Sequence, residues 1–380
     1  MLYDEIIEFR VLNNKYMDKQ KVLLIGGSPI KDSPYINSYI DIFEKNNIPF
    51  DFVYWNKHLD DISNIPNNYI PYNHFTNNRY PWWIKIFEVY GFYRFAKNVL
   101  AQNKFSYIVV FTIAHAIYFD VLFMRKYKGS FIFDIRDYSP ICEVVFLKKI
   151  VNRLVFNSAY TVISSQGFLK WLPKHGNNKF IVSHNTNLHI INDHINSKII
   201  QKPVLPYNIL TIGQLRDTKA NSLLIDELAN NNKYNLIFSG IGIALPALRK
   251  NAEKLNSFNV LFSGRYDKAD ENSIVENSDM INIYFTRDTN SDTLMSNRFY
   301  LSVLFRKPMI VNDSCYQAGV VKKYSLGVVI RQNQSFDSAI EDYWKSFNNI
   351  EYEANCIRFL NDVKVDIYAF EKILVDLYFH

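Results

Sequence analysis

Two short apolar runs, each closed by glycine, constrain this 380-residue chain more than any other feature. Lys21–Gly27 reads KVLLIGG, and Asn208–Gly213 reads NILTIG. A run that is apolar at successive positions is buried on both faces, as parallel strands are, and the glycine behind it allows a tight turn. The first run is followed by a helical pattern over Tyr35–Lys45 and a strand over Phe50–Trp55. Strands over Tyr107–Thr112, Ser130–Asp134, Thr161–Ser165 and Phe180–Ser183 complete that half. The proline-containing stretch Lys202–Tyr207 then leads into a second series: Asn208–Gly213, Asn235–Gly240, Val260–Gly264, Ile281–Phe285 and Met309–Val311. Strands alternating with helices predict parallel α/β sheets, and two series in a chain of this length predict two domains. The expected boundaries are 1–200 and 201–350. The tail, 351–380, places Leu360, Val363, Ile367, Phe370, Ile373, Leu374 and Leu377 at helical spacing.

Composition narrows the classes. With 48% hydrophobic and 16% aromatic residues the chain can fill two cores, so wholesale disorder is excluded. A net charge of +6 suits an anionic substrate or an acidic membrane surface and is too diffuse for nucleic acid. Cys142, Cys315 and Cys356 lie far apart without zinc-like spacing, so neither a disulfide framework nor a metal site is expected. Met1–Arg10 carries early acids and no apolar stretch of signal-peptide length. Phe105–Met124 comes nearest to a membrane span, but His115 and Asp120 interrupt it, and it reads as a strand leading into a helix. A cytoplasmic location is expected.

Three segments carry candidate chemistry. Thr293–Ile310 predicts a helix opening near Asn297, stopping at Lys307–Pro308, and followed by a buried strand. Asn297, Arg298 and Tyr300 then sit on the first turn, where free backbone N–H groups and the helix dipole favour anions. Asp134-Ile135-Arg136-Asp137 ends a buried strand with two acids and an arginine, which is costly unless they face a cleft or pair together. Arg79–Lys97 mixes aromatic and basic residues on a helix, a pattern that suits an anionic membrane interface and equally suits packing inside the domain. If it binds lipid, the protein sits at the inner face of the cell membrane.

Asn297–Tyr300 (NRFY), Arg306–Val311 (RKPMIV) and Tyr324–Gly327 together resemble the nucleotide-sugar segment of GT-B glycosyltransferases. Gly213–Ala220 (GQLRDTKA) is similar to the G-R-L-x-x-x-K-G motif of glycosyltransferase family 4. The resemblance implies two Rossmann-like domains facing across a cleft, with the C-terminal helix crossing back to the first. It implies transfer of a sugar, UDP-linked, to a glycan or polyprenyl-linked oligosaccharide of the capsular or lipopolysaccharide kind, with retention of configuration and without a metal. The nucleotide sugar is a co-substrate, and no cofactor is expected. Lys219 falls on the family's lysine; Gln214 replaces its arginine, and Arg216 stands two residues on. These would grip the donor diphosphate, with Gly213, Gly240, Gly242, Asn297, Arg298, Tyr300, Gly319 and Val320 around it. Thr293 and Leu301 stand where the family carries two glutamates.

On the acceptor side the resemblance singles out Asp137 and His115 as catalytic candidates, with Gly26, Gly27, Ser28, Arg136 and Asn185 nearby. A surface pair for Arg216 and Lys219, an Asp134–Arg136 structural pair and a structural His115 are the plain alternatives. A non-catalytic GT-B subunit of another transferase and a nucleotide-sugar epimerase also remain open, as does a homodimer.

Overall fold

The computed structural model describes residues 20–77, 80–174, 179–195 and 202–379. The N-terminal decapeptide, Arg79 and the 200/201 boundary lie outside the described residues. Two compact units emerge. The first takes in the described residues up to Ile135, Pro140–Thr161 and the chain's end from Glu371. The second takes in Arg136–Ser139 and Val162–Phe370.

In chain order the first half contains β1 (Lys21–Gly26), α1 (Asn37–Lys45), β2 (Phe50–Asn56), β3 (Tyr69–Asn73), α2 (Trp82–Gln102), β4 (Phe105–Phe111), α3 (Ile113–Lys126), β5 (Phe131–Ile135), α4 (Val145–Asn157), β6 (Tyr160–Ile163), β7 (Phe180–Val182) and α5 (Leu188–Ile195). The strands form one sheet in the order β3-β2-β1-β4-β5-β6-β7. Leu24 of β1 pairs in parallel with Phe52 and with Val109, so β1 is covered on both edges and all its apolar side chains are buried. Phe123 of α3 stacks on Phe131 of β5 with ring centroids 4.5 Å apart, and on Phe119 at 5.3 Å. The apolar stretch from Phe105 is strand then helix, broken at Thr112. β3 is one of two strands that the sequence does not announce, the other being β13 (Gly327–Ile330). Pro71 sits within β3, tolerable because β3 is an edge strand.

The second half contains β8 (Tyr207–Ile212), α6 (Thr218–Leu228), β9 (Tyr234–Ser239), α7 (Leu245–Lys254), β10 (Val260–Gly264), α8 (Glu271–Glu276), β11 (Met280–Asn282), α9 (Asn297–Leu304), β12 (Met309–Asn312), α10 (Tyr316–Tyr324), β13 (Gly327–Ile330), α11 (Phe336–Lys345) and α12 (Asn349–Phe379). Its sheet runs β10-β9-β8-β11-β12-β13. Two apolar clusters build its core: one joins α9, α10 and α12 to β8, β11 and β12, the other joins α6, α7 and α11 to β8 and β9. α9 opens at Asn297 as expected, and Arg306 at φ 55 ends it ahead of Pro308. The described part of the tail falls within one helix, α12, as expected. α12 gives Cys356, Phe359 and Leu360 to the second core, while in the first unit the Tyr107 hydroxyl donates to the Leu374 carbonyl at 3.2 Å.

In each sheet the strand order reverses beside the first strand: between β1 and β4, and between β8 and β11. Open α/β sheets bind ligands at the carboxyl ends of their strands at such points.

Candidate functional site

At the reversal in the second sheet, a recess of about 570 Å³ is lined by residues of the loops after β8 and β11, among them Arg216, Asp217, Lys219, Thr286, Asn290 and Arg298. Gly213 reverses the chain after β8 at φ +91, a conformation that favours glycine. Arg216 and Lys219 follow it, both exposed, and neither makes an ion pair among the described residues. Two cations on a concave wall without carboxylate partners suit an anion.

The loops are held by polar groups that the sequence did not reveal. Asp217 caps α6 by accepting from the Ala220 N–H at 2.9 Å. Its carboxylate also accepts from the Thr286 N–H at 2.5 Å and hydroxyl at 2.8 Å, tying the β11 loop to the β8 loop. Buried Asn282 donates to Thr211 at 3.0 Å and to Asn221 at 3.2 Å, and accepts from the Tyr284 N–H at 3.1 Å. That last bond turns the chain out of the ladder, which explains why β11 stops at Asn282 although the apolar pattern runs to Phe285. Partners 61 and 71 residues apart leave no local signature.

Gly240 and Gly242 act on this loop rather than on open space. A Cβ on Gly240 would stand 1.8 Å from the Gly213 carbonyl oxygen, and one on Gly242 2.2 Å from that of Leu215. What approaches these glycines is the backbone that carries Arg216. Arg298 lines the recess, but its guanidinium is turned to backbone carbonyls: Ile212 at 2.5 Å, Gln214 at 3.2 Å and Asn282 at 3.4 Å. It also lies 5.8 Å from the Phe285 ring centroid. Burial lowers its pKa to about 10, so it stays cationic at neutral pH and ties the ends of β8 and β11 together.

The segment Arg136–Ser139 meets this recess. Tyr138 N–H donates to the Asn290 side chain at 3.1 Å, and the Tyr138 ring packs on Trp171. Arg136 is buried and donates to the Ser183 carbonyl and hydroxyl at 3.2 and 3.1 Å. Asp137 reaches solvent, yet protein crowding around its carboxyl raises its pKa, and Arg216 and then Arg136 pull it back down. Asp137 and Arg216 are thus in electrostatic reach of one another. Asp134 belongs to the first unit, where it accepts from the Tyr39 hydroxyl at 2.6 Å.

Four expected donor residues stand elsewhere. Tyr300 is buried on the face of α9 that packs against Phe359, and its hydroxyl meets His184 Nδ1 at 2.7 Å, with His184 Nε2 2.9 Å from Asp366. Helical periodicity turns it away from the recess to which Arg298 points. Gly319 and Val320 line a different cavity of about 620 Å³ with Lys170, His184 and Asp366. Asn297 is exposed at the start of α9. Asn185 is exposed as well, its amide 3.5 Å from the Met295 carbonyl. The Thr293 hydroxyl, where the family's first glutamate would be, donates to the Thr289 carbonyl at 2.7 Å and is buried.

The first unit gathers its own group at its reversal point. Gly27 lies against His115 so closely that a Cβ would fall 1.9 Å from the imidazole Cε1. His115 Nδ1 is 2.8 Å from the Thr112 hydroxyl, and Phe92 meets the ring edge-on. Burial, then the Lys57 cation, depress the His115 pKa to about 3, so the imidazole is neutral at physiological pH. Lys57, whose Nζ is 3.3 Å from the Ser28 hydroxyl, was not foreseen.

Among the described residues no group of three or more His, Cys, Asp or Glu side chains is placed to hold a metal ion, and no helix is long and apolar enough to cross a membrane. No protein-family model matches the chain, and no curated protein matches it in sequence. Solved structures do match. Sucrose-phosphate synthase from Thermosynechococcus elongatus superposes with a TM-score of 0.71 at 11% identity, over 94% of this chain and 99% of that one. The lipopolysaccharide outer core galactosyltransferase WaaB gives 0.63 at 14% identity over 92% and 99%. HepE from Anabaena, in complex with UDP and glucose, gives 0.63 at 14% identity over 94% and 100%. The class is therefore α/β with two parallel sheets of seven and six strands. More particularly, the chain has the GT-B fold.

Proposed function

We propose that the chain is a glycosyltransferase that moves a sugar from a UDP-linked donor to a glycan or lipid-linked oligosaccharide in bacterial surface polysaccharide synthesis. The observation that carries this reading is the recess at the second reversal point, where Arg216 and Lys219 stand without carboxylate partners and Asp137 lies in electrostatic reach. The structural likeness to WaaB and to HepE with UDP and glucose supports the same substrate class. A leaving nucleoside diphosphate gains charge as the sugar–oxygen bond breaks, and fixed cations stabilise that charge without a metal. Arg216 and Lys219 take this role, with Arg298 fixing the loops that carry them. The acceptor hydroxyl attacks the face from which the diphosphate leaves, configuration is retained, and the departing phosphate takes the proton. Asp137, with its raised pKa, orients the acceptor hydroxyl.

The acceptor arrives from a membrane surface. On α2, Trp82 is 73% and Phe87 70% exposed, with Trp83, Ile86 and Tyr90 exposed beside them and Lys85, Arg94 and Lys97 on the same helix. Aromatic rings for the headgroup region with cations for anionic lipid are what an interfacial helix needs.

Incubation of the purified protein with a panel of nucleotide sugars tests the reading. Hydrolysis or transfer from a UDP-sugar is expected. Binding without turnover of any donor would favour the non-catalytic subunit, a reading that the buried Thr293 at the glutamate position supports.

A further inference from the structure

A second crevice, of about 900 Å³, opens beside the donor recess at the carboxyl ends of β11, β12 and β13, between the starts of α6 and α11. It shares Lys219, Phe285 and Thr286 with the recess and continues past them to Tyr284, Asn312 and the loop after β13. Asn312, the last residue of β12, is 4% exposed, and its Nδ2 amide finds no hydrogen-bond partner among the described residues. Its Oδ1 is met only by the Phe285 N–H, at 3.5 Å. An unpaired buried donor is costly, so a ligand that brings an acceptor to it is favoured.

The charges around the crevice are mostly met within the chain. Asp217 already caps α6. Glu227 accepts from the Ser335 hydroxyl and from the Asp337 N–H at 3.3 Å, so a carboxylate fills the start of α11 as well. Arg287 is paired with Asp292 at 3.0 Å, and Asp313 with Lys322 at 3.0 Å. Of the five charged residues in the lining, exposed Lys219 and Arg331 are the cations left, and an anion finds neither helix start open. What remains is neutral and hydrogen-bonding. Gln334 uses its Oε1 on the Arg331 N–H at 3.0 Å and keeps its amide N–H groups for a ligand, with Gln332 and Asn333 exposed beside it. A side-chain amide both donates and accepts, as a sugar hydroxyl does. The half-buried Tyr284 ring, 5.0 Å from that of Phe336, adds a flat apolar face for the C–H groups of a pyranose.

The geometry points to a saccharide site here: the crevice binds an uncharged glycan segment through the Asn312 amide, the amides of the loop after β13 and the Tyr284 ring. Its volume lies toward the upper end of the roughly 300–1,000 Å³ of small-ligand sites, so it admits more than one sugar ring. Resting on the transferase reading, the occupant is a neutral stretch of the acceptor glycan, held beyond the sugar that reacts.

Hydrogen exchange of the full chain, read by peptide mass spectrometry with β-linked tetrasaccharides of glucose, galactose and N-acetylglucosamine, tests this. At ten times its dissociation constant, a tetrasaccharide that binds should slow exchange of the amides at 312–314 and 331–336 about tenfold, and leave 245–254 unchanged. Inorganic phosphate should not protect these amides. Protection by phosphate in place of the sugars, or by none of the three tetrasaccharides at tens of millimolar, would overturn the site. Asn312→Val removes the unpaired donor and Tyr284→Ala removes the ring, and each should weaken tetrasaccharide binding about tenfold. Unchanged affinity in both variants, with Tm showing that they fold, would also overturn it. UDP titrated into the same wild-type sample separates the two claims. Failure of UDP to bind would sink the donor reading and leave the tetrasaccharide result standing.

Discussion

Acid should unfold this protein partly through one histidine. His115 is buried against Gly27 and Phe92, bonded through Nδ1 to Thr112, and faced by the Lys57 ammonium. Its folded-state pKa is depressed from 6.5 to about 3, first by burial and then by Lys57. In the unfolded chain it takes up a proton near its ordinary value, so between these two limits the unfolded state binds more protons. The stability that this group contributes is complete above pH 6.5 and is lost as pH falls toward 3. At 1.36 kcal/mol per unit, acidification from pH 7.5 to 5 costs about 2 kcal/mol through this residue alone. Urea midpoints at pH 7.5, 6 and 5 for the wild type and His115→Gln measure it. The glutamine variant starts less stable but should lose about 2 kcal/mol less across that range, because other titrating groups are common to both proteins. Parallel pH profiles would refute the reasoning.

Gly240→Ala should cost about 3 kcal/mol or more, since its Cβ would meet backbone at 1.8 Å and the residue sits at φ +140; a thermal melt and UDP titration of the variant should show both lost stability and a displaced Arg216 loop. Serine at Trp82, Trp83 and Phe87 together should lower cosedimentation with vesicles of anionic lipid by about tenfold while leaving Tm within a few degrees. Unchanged sedimentation would assign the exposed rings of α2 to another partner.

Much of the architecture was legible because it depends on local pattern. The apolar, glycine-ended runs became β1 and β8, and the Asn297–Pro308 spacing became a helix followed by a buried strand. Elements whose reasons are non-local were not legible. β3 carries a proline and short polar flanks and exists because β2 offers it an edge. β13 is four residues long, too short for its apolar run to be told from a turn by periodicity. β11 ends early because the Asn282 side chain takes the Tyr284 N–H.

The site divides in the same way. Arg216 and Lys219 are singled out by the likeness of Gly213–Ala220 to a family motif, Gly27 by its place after the first strand, and His115 by where the family carries a histidine. Tyr300 could not be oriented, since one helical step decides between recess and core, and its hydroxyl went to His184. Lys57 and the Asp217–Thr286 tie, whose partners are 29 and 69 residues away, required the fold itself.

Calorimetric titration of UDP into the wild type and into Lys219→Ala tests the central claim most directly. A cation on a diphosphate contributes about 1.5–3 kcal/mol, so the variant should bind roughly 10- to 100-fold more weakly. Equal affinity in the two proteins, or no UDP binding by the wild type, would contradict the assignment of the recess at the ends of β8 and β11 to a nucleoside diphosphate.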